Sequence, residues 1–119
     1  TPEMNMFSMN GVAVFRQAVR LMRPFLDEFF TALEWDRQQV DTVVPHQASR
    51  HGIEQLSERL GFRAEQVFSN LTERGNCVAA SIPLAFAEAV HAGRISRGDR
   101  VVLLGTGAGL TLGAVALTF

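Results

Sequence analysis

Apolar residues recur at helical spacing from Val12 to Leu33, where Phe15, Val19, Met22, Leu26, Phe29 and Leu33 share one face. Pro24 interrupts this pattern, which predicts either a kink or a second helix beginning at that residue. Asn10-Gly11 breaks the preceding stretch and can cap the helix. Ahead of it, Met4 to Met9 reads as a short edge strand. Val40 to Pro45 reads as a strand, β-branched at Val43 and Val44 and ended by Pro45. Ser49 then caps a helix running to Leu60, with Ile53, Leu56 and Leu60 on one face and Gly61 at its terminating position. Gln66 to Asn70 reads as another short strand.

The stretch from Val78 to Ala92 is apolar nearly all round, with Glu88 as its one ionisable residue before His91. Such a helix is expected to be buried. Gly93 closes it, Ser96 to Asp99 forms a turn, and Val101 to Leu104 and Leu110 to Phe119 read as strands. Strands alternating with helices predict an α/β layer.

Composition narrows the function. The 119 residues suffice for one domain with a core, and 47% hydrophobic with 19% charged residues fits a globular chain rather than a disordered one. A net charge of −1 gives no electrostatic case for nucleic acid. All 11 basic residues are Arg, which excludes a Walker A lysine and any Schiff-base lysine. The single Cys forms no internal disulfide, in keeping with a reducing compartment. No apolar run reaches the ~18 residues of a transmembrane helix. No cationic, apolar leader opens the chain, so the expected location is cytoplasmic. The start at Thr1-Pro2-Glu3, without an initiator Met, reads as that of a fragment or processed product.

Three places put polar groups at strand ends or helix mouths. His46 follows a strand in Val44-Pro45-His46-Gln47-Ala48-Ser49, where an imidazole can donate to a developing oxyanion or move a proton. It can equally be a turn histidine bonded to backbone. Asn76 follows Gly75 before the apolar helix, where its amide can donate to a carbonyl oxygen without changing charge, or simply cap the helix. Gly105-Thr106-Gly107-Ala108-Gly109 lets backbone N–H groups approach a ligand. A dinucleotide fingerprint needs a helix next and the sequence offers a strand, so a hairpin is expected instead. His46, His51, His91 and Cys77 show no zinc-like spacing, and no metal is expected. His91 reads as solvated or dipole-stabilising, and Cys77 as a small buried thiol. Arg50, Arg59 and Arg63 form either a basic patch for an acidic carrier or a solvated helix face.

Taken in order, Val-Pro-His-Gln-Ala, then Gly75-Asn76 followed by Ala79-Ala80-Ser81-Ile82-Pro83, then Gly105-x-Gly107-x-Gly109-x-Thr111-x-Gly113, form a set. With Ala92-Gly93-Arg94-Ile95 and Gly98-Asp99, it resembles the C-terminal half of 3-oxoacyl-acyl-carrier-protein synthase III, in the thiolase-like condensing-enzyme superfamily. The resemblance implies half of a thiolase-like α/β fold over residues 1–119. A mixed sheet would carry the buried helix on one face and amphipathic helices on the other.

It also implies a Cys-His-Asn site in which His46 and Asn76 match the family's His and Asn. Gly107, Ala108 and Gly109 match the loop that gives an oxyanion N–H, and Gln47, Ser49 and Arg50 lie on the coenzyme A or carrier side. The nucleophilic Cys belongs to the N-terminal half and has no match here. The implied reaction joins acyl-CoA to malonyl-acyl-carrier protein, without cofactor. The implied partners are the N-terminal half, acyl-carrier protein and a second copy of the full enzyme.

Ser49 stands where many members have Asn, and Thr106 and Leu112 where aromatic residues are common, which bears on acyl-chain and extender specificity. Two alternatives stay open. One is a related condensing enzyme of polyketide, quinolone or long-chain ketone synthesis; the other is a non-catalytic binding subunit.

Overall fold

The computed structural model describes residues 8–119, apart from the side chain of Leu56. The expected strand at Met4–Met9 lies mostly outside the described residues, and the apolar contact expected of Leu56 wholly so. Helix α1 spans Gly11–Leu33, and Asn10 caps it by accepting from the Ala13 N–H at 3.1 Å. It runs unbroken through Pro24, so no second helix starts there. Pro24 is exposed, on the side of the helix away from the core, and its missing N–H leaves the Arg20 carbonyl without that helical donor. The buried stripe is Ala18, Met22, Leu26 and Phe30. It is rotated from the expected face, with Phe25 and Phe29 packed at its flank.

Strand β1 (Thr42–Pro45) pairs in parallel with β2 (Arg100–Gly107), which pairs antiparallel with β3 (Thr111–Thr118). Between β1 and β2 come α2 (Arg50–Arg59), the short α3 (Leu71–Arg74) and α4 (Ser81–His91). Alternation along the strands builds two cores. Val43, Val102 and Leu104 face Met22, Leu26 and Phe30 of α1, and Leu60 and Phe62 beyond α2. Val44 and Val101 face Ala85 and Ala89 of α4, with Ile95 behind them. The sheet is therefore mixed and covered on both faces, in the arrangement expected from the sequence.

Two expectations need correction. Gln66–Asn70 is not a strand: Ala64–Gln66 is a 3₁₀ turn, and only a single parallel bridge joins Val67 to Val43. The reason is Gln66, whose buried amide turns inward and donates to the carbonyls of Arg37 at 2.9 Å and Val40 at 2.6 Å. The apolar helix starts at Ser81, after a 3₁₀ turn at Val78–Ala80. Its buried side is Ser81, Ala85 and Ala89, while Pro83 and Ala87 stay exposed. Its outer side is apolar but uncovered, because the sheet packs against one side alone.

Candidate active site

Parallel pairing brings the carboxyl ends of β1 and β2 together. The His46 N–H donates to the Leu104 carbonyl at 2.8 Å, so the residue after β1 is still held by β2. The amino end of α4 arrives at the same edge. A Cβ placed on Gly105 would meet Ile82 Cδ1 at 3.5 Å, an ordinary contact. At its other end α4 leads to Arg94, whose carbonyl accepts from Thr42 Oγ1 at the start of β1. The loop bearing Asn76, just ahead of α4, therefore lies at the edge that carries His46.

The His46 ring is half-buried, and desolvation lowers its pKa from the ordinary 6.5. At neutral pH it is an uncharged imidazole with one N–H to donate. Asn76 is exposed, but its orientation is set from within. Its Oδ1 accepts from the Val78 N–H at 2.9 Å and the Ser81 hydroxyl at 3.5 Å. Ser81 Oγ in turn accepts from the Cys77 N–H at 3.0 Å. With the oxygen engaged in the turn, the Nδ2 end is left to donate outward.

The backbone there is special. Gly75 has φ 67° and ψ −163°, a conformation that only glycine adopts readily. Val78, a β-branched residue, sits at φ 52°. Such outliers persist where surrounding contacts impose them, and here the contact is the Asn76 oxygen on the Val78 N–H.

Gln47 is fully buried. Its Nε2 donates to the Pro45 carbonyl at 2.7 Å, and its Oε1 accepts from Ser69 Oγ at 2.7 Å and the Asn70 N–H at 3.3 Å. This corrects its expected place on the coenzyme A or carrier side: the whole amide is used inside, as a support for the His46 turn. Ser49 is exposed, and its Oγ accepts from the Gly52 N–H at 3.0 Å, capping α2. Arg50 is exposed and paired with Glu54 at 3.0 Å, so its charge is already partnered. Gly107, Ala108 and Gly109 form the exposed tip of the β2–β3 hairpin. Among the described residues nothing accepts the Ala108 N–H, which remains available as a donor.

Cys77 is half-buried, not buried as expected, with its Sγ 3.4 Å from the Arg74 carbonyl. It sits in an exposed loop rather than in a core. His91 is exposed in the last turn of α4. Among the described residues no three His, Cys, Asp or Glu side chains group as metal ligands, and no helix is long and apolar enough to cross a membrane. A hollow of about 620 Å³ lies beside α2, lined by Ile53, Ser57, Phe62, Val67 and Leu71; neither His46 nor Asn76 lines it. His46 and Asn76 thus stand outside this hollow.

Sequence reasoning missed the supports of this edge, namely Gln47, Asn70, Ser81 and Glu88. The signal for Glu88 was present, as a lone carboxylate in an otherwise apolar helix.

Residues 30–119 match the family model described as 3-Oxoacyl-[acyl-carrier-protein (ACP)] synthase III C terminal. Beta-ketoacyl-[acyl-carrier-protein] synthase III of Nitratidesulfovibrio vulgaris is 45% identical over 111 residues, covering 93% of this chain and 34% of its own length. The crystal structure of the beta-ketoacyl-[acyl carrier protein] synthase III from Thermus thermophilus superposes with a TM-score of 0.88 at 44% identity, over 97% of this chain and 36% of that one. The 3-oxoacyl-(acyl carrier protein) synthase III of Pseudomonas aeruginosa PAO1 gives 0.89 at 41% identity, over 98% and 37%. The chain thus spans about a third of the length of the curated relatives it matches.

Proposed function

The chain belongs to the 3-oxoacyl-[acyl-carrier-protein] synthase III C-terminal family, and on that premise we propose that it supplies the two hydrogen-bond donors of a decarboxylating Claisen condensation. What supports this reading is a half-buried His46 held to β2 by its backbone, and an Asn76 whose oxygen is engaged in its own turn. Both lie at the carboxyl edge of a parallel strand pair, where α/β folds place their sites.

The chemistry asks for such donors. An acyl group is first held as a thioester on a cysteine outside this chain. In the malonyl thioester the bond to the carboxylate then breaks, carbon dioxide leaves, and the electron pair passes to the thioester oxygen as an enolate. His46 and Asn76 donate to that oxygen. Each preorganised donor of this kind is worth roughly 3–4 kcal/mol in a water-excluded site. The enolate carbon attacks the acyl thioester, the new carbon–carbon bond forms, and the cysteine leaves as thiolate. The Ala108 N–H is the donor proposed for the second oxyanion.

An uncharged Asn leaves the neutral state of His46 undisturbed, so both act as donors without a change of charge. No cofactor enters these steps. The substrates in this reading are an acyl-CoA and a malonyl-acyl-carrier protein. The partners are the nucleophile-bearing remainder, residues 1–119 being the C-terminal domain, together with a carrier protein and a second copy of the assembled enzyme. The setting is cytoplasmic fatty-acid synthesis.

The test is reconstitution. The purified chain is incubated with acyl-CoA and malonyl-acyl-carrier protein, alone and then with the separately expressed nucleophile-bearing portion. The expected result is no condensation and no acylated Cys77 alone, and turnover on mixing. Condensation by the 119-residue chain by itself, or stoichiometric acylation of Cys77, overturns the reading.

A further inference from the structure

Glu88 is the one acidic residue of α4, and it lies two turns beyond the Asn76 loop. Its two carboxylate oxygens are used separately. Oε2 accepts from Asn70 Nδ2 at 2.8 Å, and Oε1 accepts from Arg74 Nε at 2.6 Å. Asn70 is buried, and its backbone N–H donates to Gln47 Oε1 at 3.3 Å, while Gln47 Nε2 donates to the Pro45 carbonyl at 2.7 Å. His46 is the residue between Pro45 and Gln47, and Asn76 follows Arg74 by two. One carboxylate therefore stands in the middle of a path that runs from Pro45 and Gln47, the two residues flanking His46, to Arg74, two residues before Asn76.

The geometry points to Glu88 as the positioning residue that sets His46 and Asn76 relative to each other, acting through Asn70 and Gln47 on one side and Arg74 on the other. This assignment rests on the proposed function for its catalytic meaning, though not for the linkage itself. Other contacts hold each donor locally. The His46 turn is joined to β2 by one backbone bond to Leu104, and the Asn76 loop is joined to α4 through Ser81. Neither of those contacts connects one donor to the other. Hydrogen bonds from Asn70 and then from Arg74 hold the Glu88 carboxyl below the usual carboxylate range, so it is an ionised double acceptor at neutral pH.

Geometry of this kind matters because donors must be held within about 0.5 Å of the productive arrangement, and a shift of about 1 Å can lower a rate on the order of a hundredfold. A carboxylate accepts two donors at once with both oxygens. A Gln in its place keeps the shape but gives up the charge and one acceptor oxygen, so Glu88→Gln weakens the link to Arg74 and holds Asn70 only if the Asn70 amide turns over.

Two measurements decide the matter. In the 119-residue chain, the side-chain amide signal of Asn76 and the ring signals of His46 are followed by ¹⁵N NMR in wild type, Glu88→Gln and Glu88→Ala. Both sets of signals are expected to move in Glu88→Ala and, by a smaller amount, in Glu88→Gln, although neither residue touches Glu88. In the reconstituted enzyme, Glu88→Ala is expected to lower kcat by about tenfold to a hundredfold with KM for acyl-CoA within about twofold. Glu88→Gln should fall between it and wild type, and acylation of the cysteine should be unaffected in both. If Glu88→Ala does not fold, Glu88→Gln carries both readouts. Unmoved His46 and Asn76 signals, or an unchanged kcat in a folded variant, overturn the assignment. A wild-type assembly that does not condense overturns the proposed function alone, and the NMR comparison then still decides the linkage.

Discussion

His46 donates its backbone N–H to the carbonyl of Leu104, one position beyond the last paired residues of β1 and β2. The ring therefore leaves the sheet from a fixed backbone, half-covered, and pays desolvation whenever it is charged. The folded chain binds this proton less readily than the unfolded chain does. His46 thus contributes its full stability above the ordinary value of 6.5, and that contribution is lost as pH falls through the lowered folded value. The thermal midpoint should decline on acidification from about pH 6.5, and His46→Gln should flatten that slope. The carboxyls of Glu88 and Glu65 are also held low, Glu88 chiefly by the Asn70 amide and Glu65 chiefly by a backbone hydrogen bond. Their windows open only below the ordinary 4.5, so the upper one belongs to the histidine.

Asn76 has two separable parts. Its oxygen holds the Val78 N–H and its Nδ2 is the proposed donor. Asn76→Asp keeps an acceptor for Val78 and removes the donor. Stability should stay near wild type while malonyl decarboxylation in the reconstituted enzyme drops on the order of a hundredfold to a thousandfold. Asn76→Ala should lose that activity and also about 1 kcal/mol of stability, as a lost side-chain cap does. Acyl transfer to the cysteine should suffer less than decarboxylation in both. Equal loss of the two steps would leave Asn76 a structural role only.

Ser49 and Gly52 are a coupled pair. A Cβ on Gly52 would lie 2.6 Å from Ser49 Oγ, so Gly52→Ala must rotate the serine out of its cap. Loss of the cap costs about 1 kcal/mol, and replacing a helical glycine by alanine returns about the same amount. Gly52→Ala should therefore be close to neutral, Ser49→Ala should destabilise by about 1 kcal/mol, and the double variant should be more stable than Ser49→Ala. A denaturation cycle with these four proteins measures the coupling, and strict additivity would exclude it.

Gln66→Leu should be among the more damaging single changes. Gln66 bonds the carbonyls of Arg37 and Val40 and accepts from the Arg63 N–H at 2.8 Å. Three bonds at about 1 kcal/mol each predict a loss of roughly 3 kcal/mol by urea denaturation. A change of less than about 1 kcal/mol would mean that the neighbouring backbone finds other partners.

These residues also mark how far the sequence could be read. Helical periodicity located α1, and Asn10, Ser49 and Gly61 gave the helix ends, because capping is local chemistry written within a few residues. The β-branched run at Val43-Val44 and the glycine-rich hairpin located the sheet. Gln66 was misread because its run of neighbours suits a strand, while its side chain is satisfied by carbonyls more than twenty residues away. Gln47 was placed on the substrate side for the same reason: its burial depends on Ser69 and Asn70, which no local pattern couples to it. Helix α4 reads from its composition as apolar nearly all round and buried. Its apolar outer side is real, but this chain covers only the other side. His46 and Asn76, the proposed donors, stood out as residue types in a family-like order, and the path between their flanking residues did not.

The parallel pairing of β1 with β2 also has a consequence in time. Asp41 Oδ2 accepts from the Arg100 N–H, a contact spanning 59 positions, and β1 has no other full strand partner among the described residues. Helices α1, α2 and α4 can nucleate from neighbours in sequence, but the strand edge that carries His46 must wait for the last quarter of the chain. Loop closure has to be met before this pairing returns any energy, which makes folding slow relative to a helical bundle of the same size. During synthesis, Val43 and Val44 therefore emerge long before their partners. A pause ahead of Arg100 would prolong the interval in which that apolar pair is open to other chains.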